Sequence, residues 1–291
     1  NNSCKIMIKN NNEKRDMKNF SGKTVVITGA GSGIGRGLAK LLAKKGADLA
    51  LVDLSEDNLE ETSRLIAESD STSRVHRYAL DVSDKKAVYG LADKVCGDFG
   101  RIDVVINNAG VALSETVEDM SYEDFEWVMN INFWGVVYGT KAFLPYLKRS
   151  SEAYIVNISS IFGLISLPTQ SAYNASKFAV KGFTEALRLE LKGTTVNPIC
   201  VHPGGIKTNI AKSARFYKSI DGSVDRDEAI NLFDKFTWTT PDKAAETIVN
   251  GIIKNNKRVL IGPDARVVDW FQRLLPDAYD KVLGVFLNKS L

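Results

Sequence analysis

Three cysteines in 291 residues, Cys4, Cys96 and Cys200, are too few, too scattered and odd in number to build a disulfide framework or a metal-binding spacing. That scarcity points to a reducing compartment, the cytoplasm. Histidine is scarcer still: His76 lies within a predicted strand with no second His or Cys near it, so no metal site is expected. No stretch approaches the roughly 18 consecutive apolar residues of a membrane span. The N-terminus lacks the apolar core of a signal peptide. An excess of one charge is missing too. The formal net charge is +3, and Lys5, Lys9, Lys14, Arg15 and Lys18 against Glu13 and Asp16 account for all of it. Residues 19–291 therefore sum to zero, without the basic face of a nucleic-acid binder, and no nucleic-acid partner is expected.

What is present is an ordinary globular composition, 44% hydrophobic and 25% charged. β-Branched apolar runs alternate with amphipathic stretches from residue 23 to residue 261. That alternation predicts an α/β, doubly wound Rossmann-type domain, with about seven parallel strands and helices on both faces. The strands fall at 23–28, 48–53, 74–80, 103–107, 153–159, 195–202 and 258–261. Helices follow the first glycine turn and cover 56–68, 84–98, a long 121–147, the segment through Tyr173 to about Lys192, and 240–254. The last of these starts on a Thr240 cap with Pro241 in the first turn. Residues 207–239 show no strand pattern and are expected to form a lid. The domain spans 20–262. Residues 1–19 form a polar lead expected to be disordered, with Met7 or Met17 as a candidate initiator. Residues 263–291 form a helical extension rich in apolar groups, too many to leave in water. Covering the cleft or a subunit interface is its main reading, and a membrane-surface helix the lesser one.

The chemistry begins at Gly29-Ala-Gly-Ser-Gly-Ile-Gly35, directly after the first strand and opening a helix. Glycines let backbone N–H groups approach a phosphate, and a helix N-terminus favours negative charge. Asp53 ends the second strand twenty residues beyond Gly33, where a carboxylate can accept from both ribose hydroxyls of an adenosine and repel a 2′-phosphate. Asp81 ends the third strand at the ligand-binding edge of an open sheet. Asn107-Asn108-Ala109-Gly110 follows the fourth strand, and Asn130 or Asn132 sits among apolar neighbours in the long helix. Residues 161–168 are unusually apolar for a loop and suggest a greasy pocket. Tyr173 and Lys177 are four apart, so in a helix they share one face. A lysine ammonium close to a tyrosine favours the phenolate and lowers its pKa, which suits a general acid/base at a carbinol or carbonyl. Ser160 lies thirteen residues upstream.

Taken together, residues 22–262 resemble the short-chain dehydrogenase/reductase superfamily, in its branch with Thr-Gly-x3-Gly-x-Gly and Tyr-x3-Lys motifs. The resemblance rests on Thr28 to Gly35, Asp81, Asn107 to Gly110, Asn132, Ser160, Tyr173 with Lys177, and Pro203-Gly204. It implies that Gly29, Ser32, Gly33, Ile34 and Gly35 face the pyrophosphate of NAD, and that Asp53 holds the adenosine ribose. Asp81 with Val82 would hold the adenine, and Asn108, Ala109 and Gly110 would stand behind the ribose. Pro203 and Gly204 are also implied to bind the cofactor, with Ile206 and Thr208 on the nicotinamide carboxamide. Tyr173 is the implied acid/base and Ser160 the hydrogen bond to the substrate oxygen. Lys177 bonds the nicotinamide ribose, and Asn132 holds a water in a proton relay. The resemblance also implies a homodimer or homotetramer pairing helices 121–147 and 171–192. The expected activity is NAD-dependent interconversion of a secondary alcohol and a ketone, on an apolar small molecule. An NADP-dependent carbonyl reductase and a non-catalytic nucleotide-binding scaffold are the alternatives.

Overall fold

Strands buried on both faces must be apolar at successive positions rather than alternate ones, and that is the character of these runs. The computed structural model describes residues 19–69, 71–219, 222–235 and 237–279. In chain order the sheet-forming half runs β1 (Thr24–Thr28), α1 (Gly33–Lys44), β2 (Asp48–Asp53), α2 (Glu56–Ala67), β3 (Val75–Ala79), α3 (Lys85–Phe99) and β4 (Val104–Asn107). There follow β5 (Leu113–Ser114), α4 (Tyr122–Met129), α5 (Gly135–Leu147), β6 (Ala153–Ile158), α6 (Ser171–Glu190) and β7 (Val196–Pro203). The last elements are β8 (Arg215–Phe216), α7 (Arg226–Lys235), α8 (Pro241–Ile253), β9 (Arg258–Ile261) and α9 (Pro263–Leu274).

Seven strands form one parallel sheet in the order β3-β2-β1-β4-β6-β7-β9. Successive residues of β1 serve opposite layers. Val25 and Ile27 join a core with Leu38 and Leu42 of α1, Leu59 of α2 and Ile248 of α8. Val26 joins the other with Val88 and Leu91 of α3, Phe143 of α5 and Leu187 of α6. The order runs outward from β1 to β3, then restarts at β4 and runs to β9 on the other side. Between the carboxyl ends of β1 and β4 the connections diverge, and a crevice opens there. Side chains cap three of the helices that pack on the sheet. Ser55 accepts from Asn58 N–H (3.2 Å), Asp84 from Ala87 N–H (3.0 Å) and Thr240 from Lys243 N–H (3.3 Å).

Two expectations need correction. The long helix 121–147 is two α-helices joined by a π-helical turn, Asn130–Trp134, in which an inserted residue widens the ladder to i→i+5 bonds. Residues 207–239 are not without strand. β8 pairs in parallel with β5, and α7 follows. The extension after residue 262 contributes α9, tied to the sheet by Arg258 Nη1 on Asp269 Oδ2 (3.1 Å). The lead with Met7 and Met17, and the extension beyond residue 279, lie outside the described residues. Among the described residues, no helix is long and apolar enough to cross a membrane.

Candidate active site

At the crevice the chain leaves β1 through Gly29, whose φ of 66° is a left-handed conformation open to glycine. A Cβ there would stand 2.9 Å from Ala109 Cα. Thr28 Oγ1 accepts from Asn108 N–H (2.9 Å) and Ala109 N–H (3.1 Å), and Asn108 Nδ2 donates to the Thr28 carbonyl (2.9 Å). These bonds fix the ends of β1 and β4 against each other. Ser32 caps α1 in extended conformation with no side-chain cap bond. The first turn-closing bond runs from Arg36 N–H to the Ser32 carbonyl (3.0 Å). The N–H groups of Gly33, Ile34 and Gly35 precede it and have no intrahelical acceptor. Gly33 and Ile34 line the cleft, and such donors at a helix N-terminus fit a diphosphate.

Asp53 turns both carboxylate oxygens to the backbone beside this turn. Oδ2 accepts from Gly31 N–H (2.9 Å) and Oδ1 from Ser55 N–H (3.1 Å). Arg36, a nearby cation on α1, is tethered to the Gly31 carbonyl and to Thr62 Oγ1, the latter at 3.0 Å. The fixed carboxylate beside the glycine turn is the local charge a ribose would meet. Asp81 accepts from the N–H (2.8 Å) and hydroxyl (2.7 Å) of Ser83.

At the other end, β6 delivers Ser160 and α6 delivers Tyr173 and Lys177. The Ser160 hydroxyl accepts from Phe162 N–H (3.1 Å) and hydrogen-bonds Tyr173. Burial pushes the Tyr173 phenol up to about 12, the Ser160 bond acting the other way. Lys177 Nζ lies 5.5 Å from the centre of the Tyr173 ring and donates to the Ile158 carbonyl at 3.1 Å. Burial pulls its ammonium down to about 8. The expectation that Lys177 lowers the Tyr173 pKa does not hold in this site: desolvation dominates both groups. At neutral pH the pair is a phenol beside an ammonium.

One cleft of about 1010 Å³ joins these ends, at the top of the roughly 300–1,000 Å³ range of ligand sites. Its wall holds Gly29, Ser32, Gly33, Ile34, Asp53, Asp81, Val82, Asn108, Ala109, Gly110, Ser160, Tyr173, Lys177, Pro203, Gly204, Ile206 and Thr208. Two predicted residues are not in the wall. Gly35 lies one layer behind, where a Cβ would overlap the Gly29 carbonyl, so its smallness serves packing of the turn. Asn132 is buried with both ends of its amide hydrogen-bonded. Oδ1 accepts from Val111 N–H (2.8 Å), and Nδ2 donates to the Val111 carbonyl (2.9 Å) and Ser176 Oγ (3.2 Å). The side chain is a clamp on the segment after β4. Asn130 is exposed, which settles the choice between the two. Ser159, adjacent to Ser160, points away and donates to the Lys177 carbonyl (2.8 Å).

The sequence reading missed His202 and Gln170. His202 is buried behind Ser160 and its Nδ1–H donates to the Ser160 carbonyl (3.1 Å). Burial pulls its pKa down to about 4, so the ring is neutral at pH 7. Nothing in its spacing marks it. The apolar residues 161–168 do reach the cleft through Ile161, Phe162, Ile165 and Leu167, and the extension reaches it through Val267, Val268, Phe271 and Tyr279.

Set beside known proteins, this geometry has many counterparts. The short chain dehydrogenase family profile matches residues 23–217. SadH of Mycobacterium tuberculosis is 45% identical over 276 residues, covering 94% of this chain and 98% of that protein. Dehydrogenase/reductase SDR family member 7B of Xenopus tropicalis is 35% identical over 243 residues, 81% of this chain and 76% of that one. A short-chain dehydrogenase/reductase from Burkholderia phymatum, solved in complex with NAD, superposes with a TM-score of 0.80 at 28% identity, covering 94% and 98% of the two chains. The chain belongs to the short-chain dehydrogenase/reductase family. It is an oxidoreductase of that family.

Proposed function

We propose that the protein interconverts a secondary alcohol and a ketone with NAD as hydride carrier, on an apolar small molecule. The observation that carries this reading is the convergence of Ser160, Tyr173 and Lys177 on a cleft whose far end pairs free helix N–H donors with the Asp53 carboxylate. The glycine turn and α1 N-terminus would hold the diphosphate, Asp53 the adenosine ribose, and Lys177 the second ribose. A bound nicotinamide supplies or accepts the hydride. In ketone reduction the Tyr173 phenol gives its proton to the carbonyl oxygen, and the Ser160 hydroxyl bonds the same oxygen as charge develops on it. With its pKa raised by burial to about 12, Tyr173 starts as the protonated acid. Oxidation needs the phenolate, so its rate should climb with pH.

Asp53 favours NAD because a 2′-phosphate would meet a fixed anion, and Arg36, the nearby cation, is already engaged. We also infer a homo-oligomer built on α5 and α6. Trp134, at the end of the π turn that leads into α5, and Phe178 of α6 are exposed, and Trp134 stacks on Tyr138 of α5 with ring centres 5.7 Å apart. Light scattering tests this, and a monomer at micromolar concentration would overturn it. The activity is tested by absorbance at 340 nm with a panel of secondary alcohols and either cofactor. Turnover with NAD on apolar alcohols supports the reading, whereas NADH binding with no turnover on any alcohol or ketone favours the scaffold.

A further inference from the structure

The substrate half of the cleft is walled by Trp127, Phe162, Ile165 and Phe216 among other apolar groups. Gln170 interrupts it. This residue caps α6, and its carbonyl accepts the first bond of the helix from Asn174 N–H (2.7 Å). Gln170, Tyr173 and Lys177 therefore stack on one face at i, i+3 and i+7. Lys177 stands on the cofactor side of Tyr173 and Gln170 on the opposite side, about 5–6 Å from Tyr173 between Cβ atoms.

The orientation of the Gln170 amide follows from its partner. Ser114 has one hydroxyl proton, donated to the Lys218 carbonyl at 2.7 Å. Its two lone pairs then accept from the Thr169 hydroxyl (3.1 Å) and from Gln170 Nε2 (3.1 Å). Ser114 has no proton left to give, so Gln170, which lines the cleft, presents its NH₂ group to Ser114 and keeps Oε1 out of that network. Oε1 has no partner among the described residues. An amide oxygen held by a saturated network, in an apolar wall one turn from the acid/base, is a recognition group awaiting a donor.

We propose that Gln170 is a specificity-determining residue that accepts a hydrogen bond from a second hydroxyl on the substrate. The substrate class is then an apolar molecule bearing an additional hydroxyl a few bonds from the reacting carbinol or carbonyl carbon. This rests on the oxidoreductase reading above and deepens it.

The test compares a long-chain secondary alkanol with the same chain carrying a second hydroxyl two or four carbons away. The wild-type protein is expected to prefer a dihydroxy chain about tenfold in kcat/KM, the size of one half-buried hydrogen bond. Gln170→Met keeps the length of the side chain and removes the acceptor, and should bring the ratio to about one. Ser114→Ala, which frees the amide to rotate, should lower the ratio less. Loss of fold or of packing alone would weaken both substrates together and leave the ratio unchanged. Equal kcat/KM in the wild type, or a preference that survives Gln170→Met, overturns the inference and leaves the oxidoreductase reading intact. The same chains titrated against the protein by tryptophan fluorescence read binding without turnover, since Trp127 and Trp238 line the cleft. A silent assay would count against the proposed chemistry, while the ratio of dissociation constants still decides for or against Gln170.

Discussion

The two ends of the cleft are made in different ways. The nucleotide end is built from backbone: free N–H groups at the start of α1, a left-handed Gly29, and a carboxylate locked onto two N–H groups. Each part lies within a few residues of a strand end. The substrate end is built from side chains on segments far apart in the chain, such as Trp127, Phe162, Gln170, Phe216 and Phe271. A diphosphate and a ribose ask for fixed donors at fixed spacing, which a short loop can supply. A largely apolar substrate asks mainly for shape, with a polar contact such as Gln170 at one point, and packed side chains from separate segments can supply both. The first end is therefore set by local chemistry, and the second is free to differ from protein to protein.

The sharpest way to break this comparison is at the junction of the two ends. Tyr173→Phe removes the proton and little volume. Turnover should fall by about two to four orders of magnitude while NADH binding, followed by its fluorescence, persists. Near-normal turnover would remove Tyr173 from the acid/base role. A smaller effect is expected at the nucleotide end. Asp53→Asn keeps an acceptor oxygen for Gly31 N–H and removes the charge. The kcat/KM ratio of NAD over NADP should fall roughly 10–100-fold, the scale of one charge-assisted hydrogen bond. A ratio unchanged by the substitution would mean that another group selects the cofactor.

The mildest test addresses the layer beneath the substrate end. The His202 pKa is about 4 in the fold against an ordinary 6.5. Because the folded value is depressed, the stability it confers is complete above pH 6.5 and is lost as pH falls through about 4. The loss amounts to roughly 3 kcal/mol. His202→Asn keeps a donor for the Ser160 carbonyl and cannot titrate. Urea melts at pH 7 and pH 4.5 should show a smaller drop for the variant than for the wild type. Equal drops would place the acid sensitivity elsewhere.

Much of the molecule was legible in the sequence. Most of the seven strands were readable because they are short apolar runs, and burial on both faces forces that composition; the edge strand β3, with His76 and Arg77 exposed, is the exception. The shared face of Tyr173 and Lys177 followed from helical periodicity alone. The π turn was not legible, because the insertion of one residue into a helical ladder changes no residue type. The short β8 was equally hidden, since two residues carry no alternation. The pairing of Tyr173 with a raised pKa was misjudged because its neighbours in sequence reveal a lysine but not the depth of burial.

The sequence by itself determined the order of elements, the glycine turn, the carboxylate after β2 and the Tyr173–Lys177 spacing, all features carried by neighbours within a turn or a strand. The family resemblance already pointed to Asn132 rather than Asn130, but only the tertiary structure decided that its amide is spent on Val111 and Ser176. It alone set His202 beneath Ser160 and joined Gln170 to Ser114 across 56 positions of chain. Hydrogen bonds of this range form only after the apolar layers on both sides of the sheet have been buried. Which distant side chains meet is then settled by how those layers pack, a property of the whole chain rather than of any stretch of it.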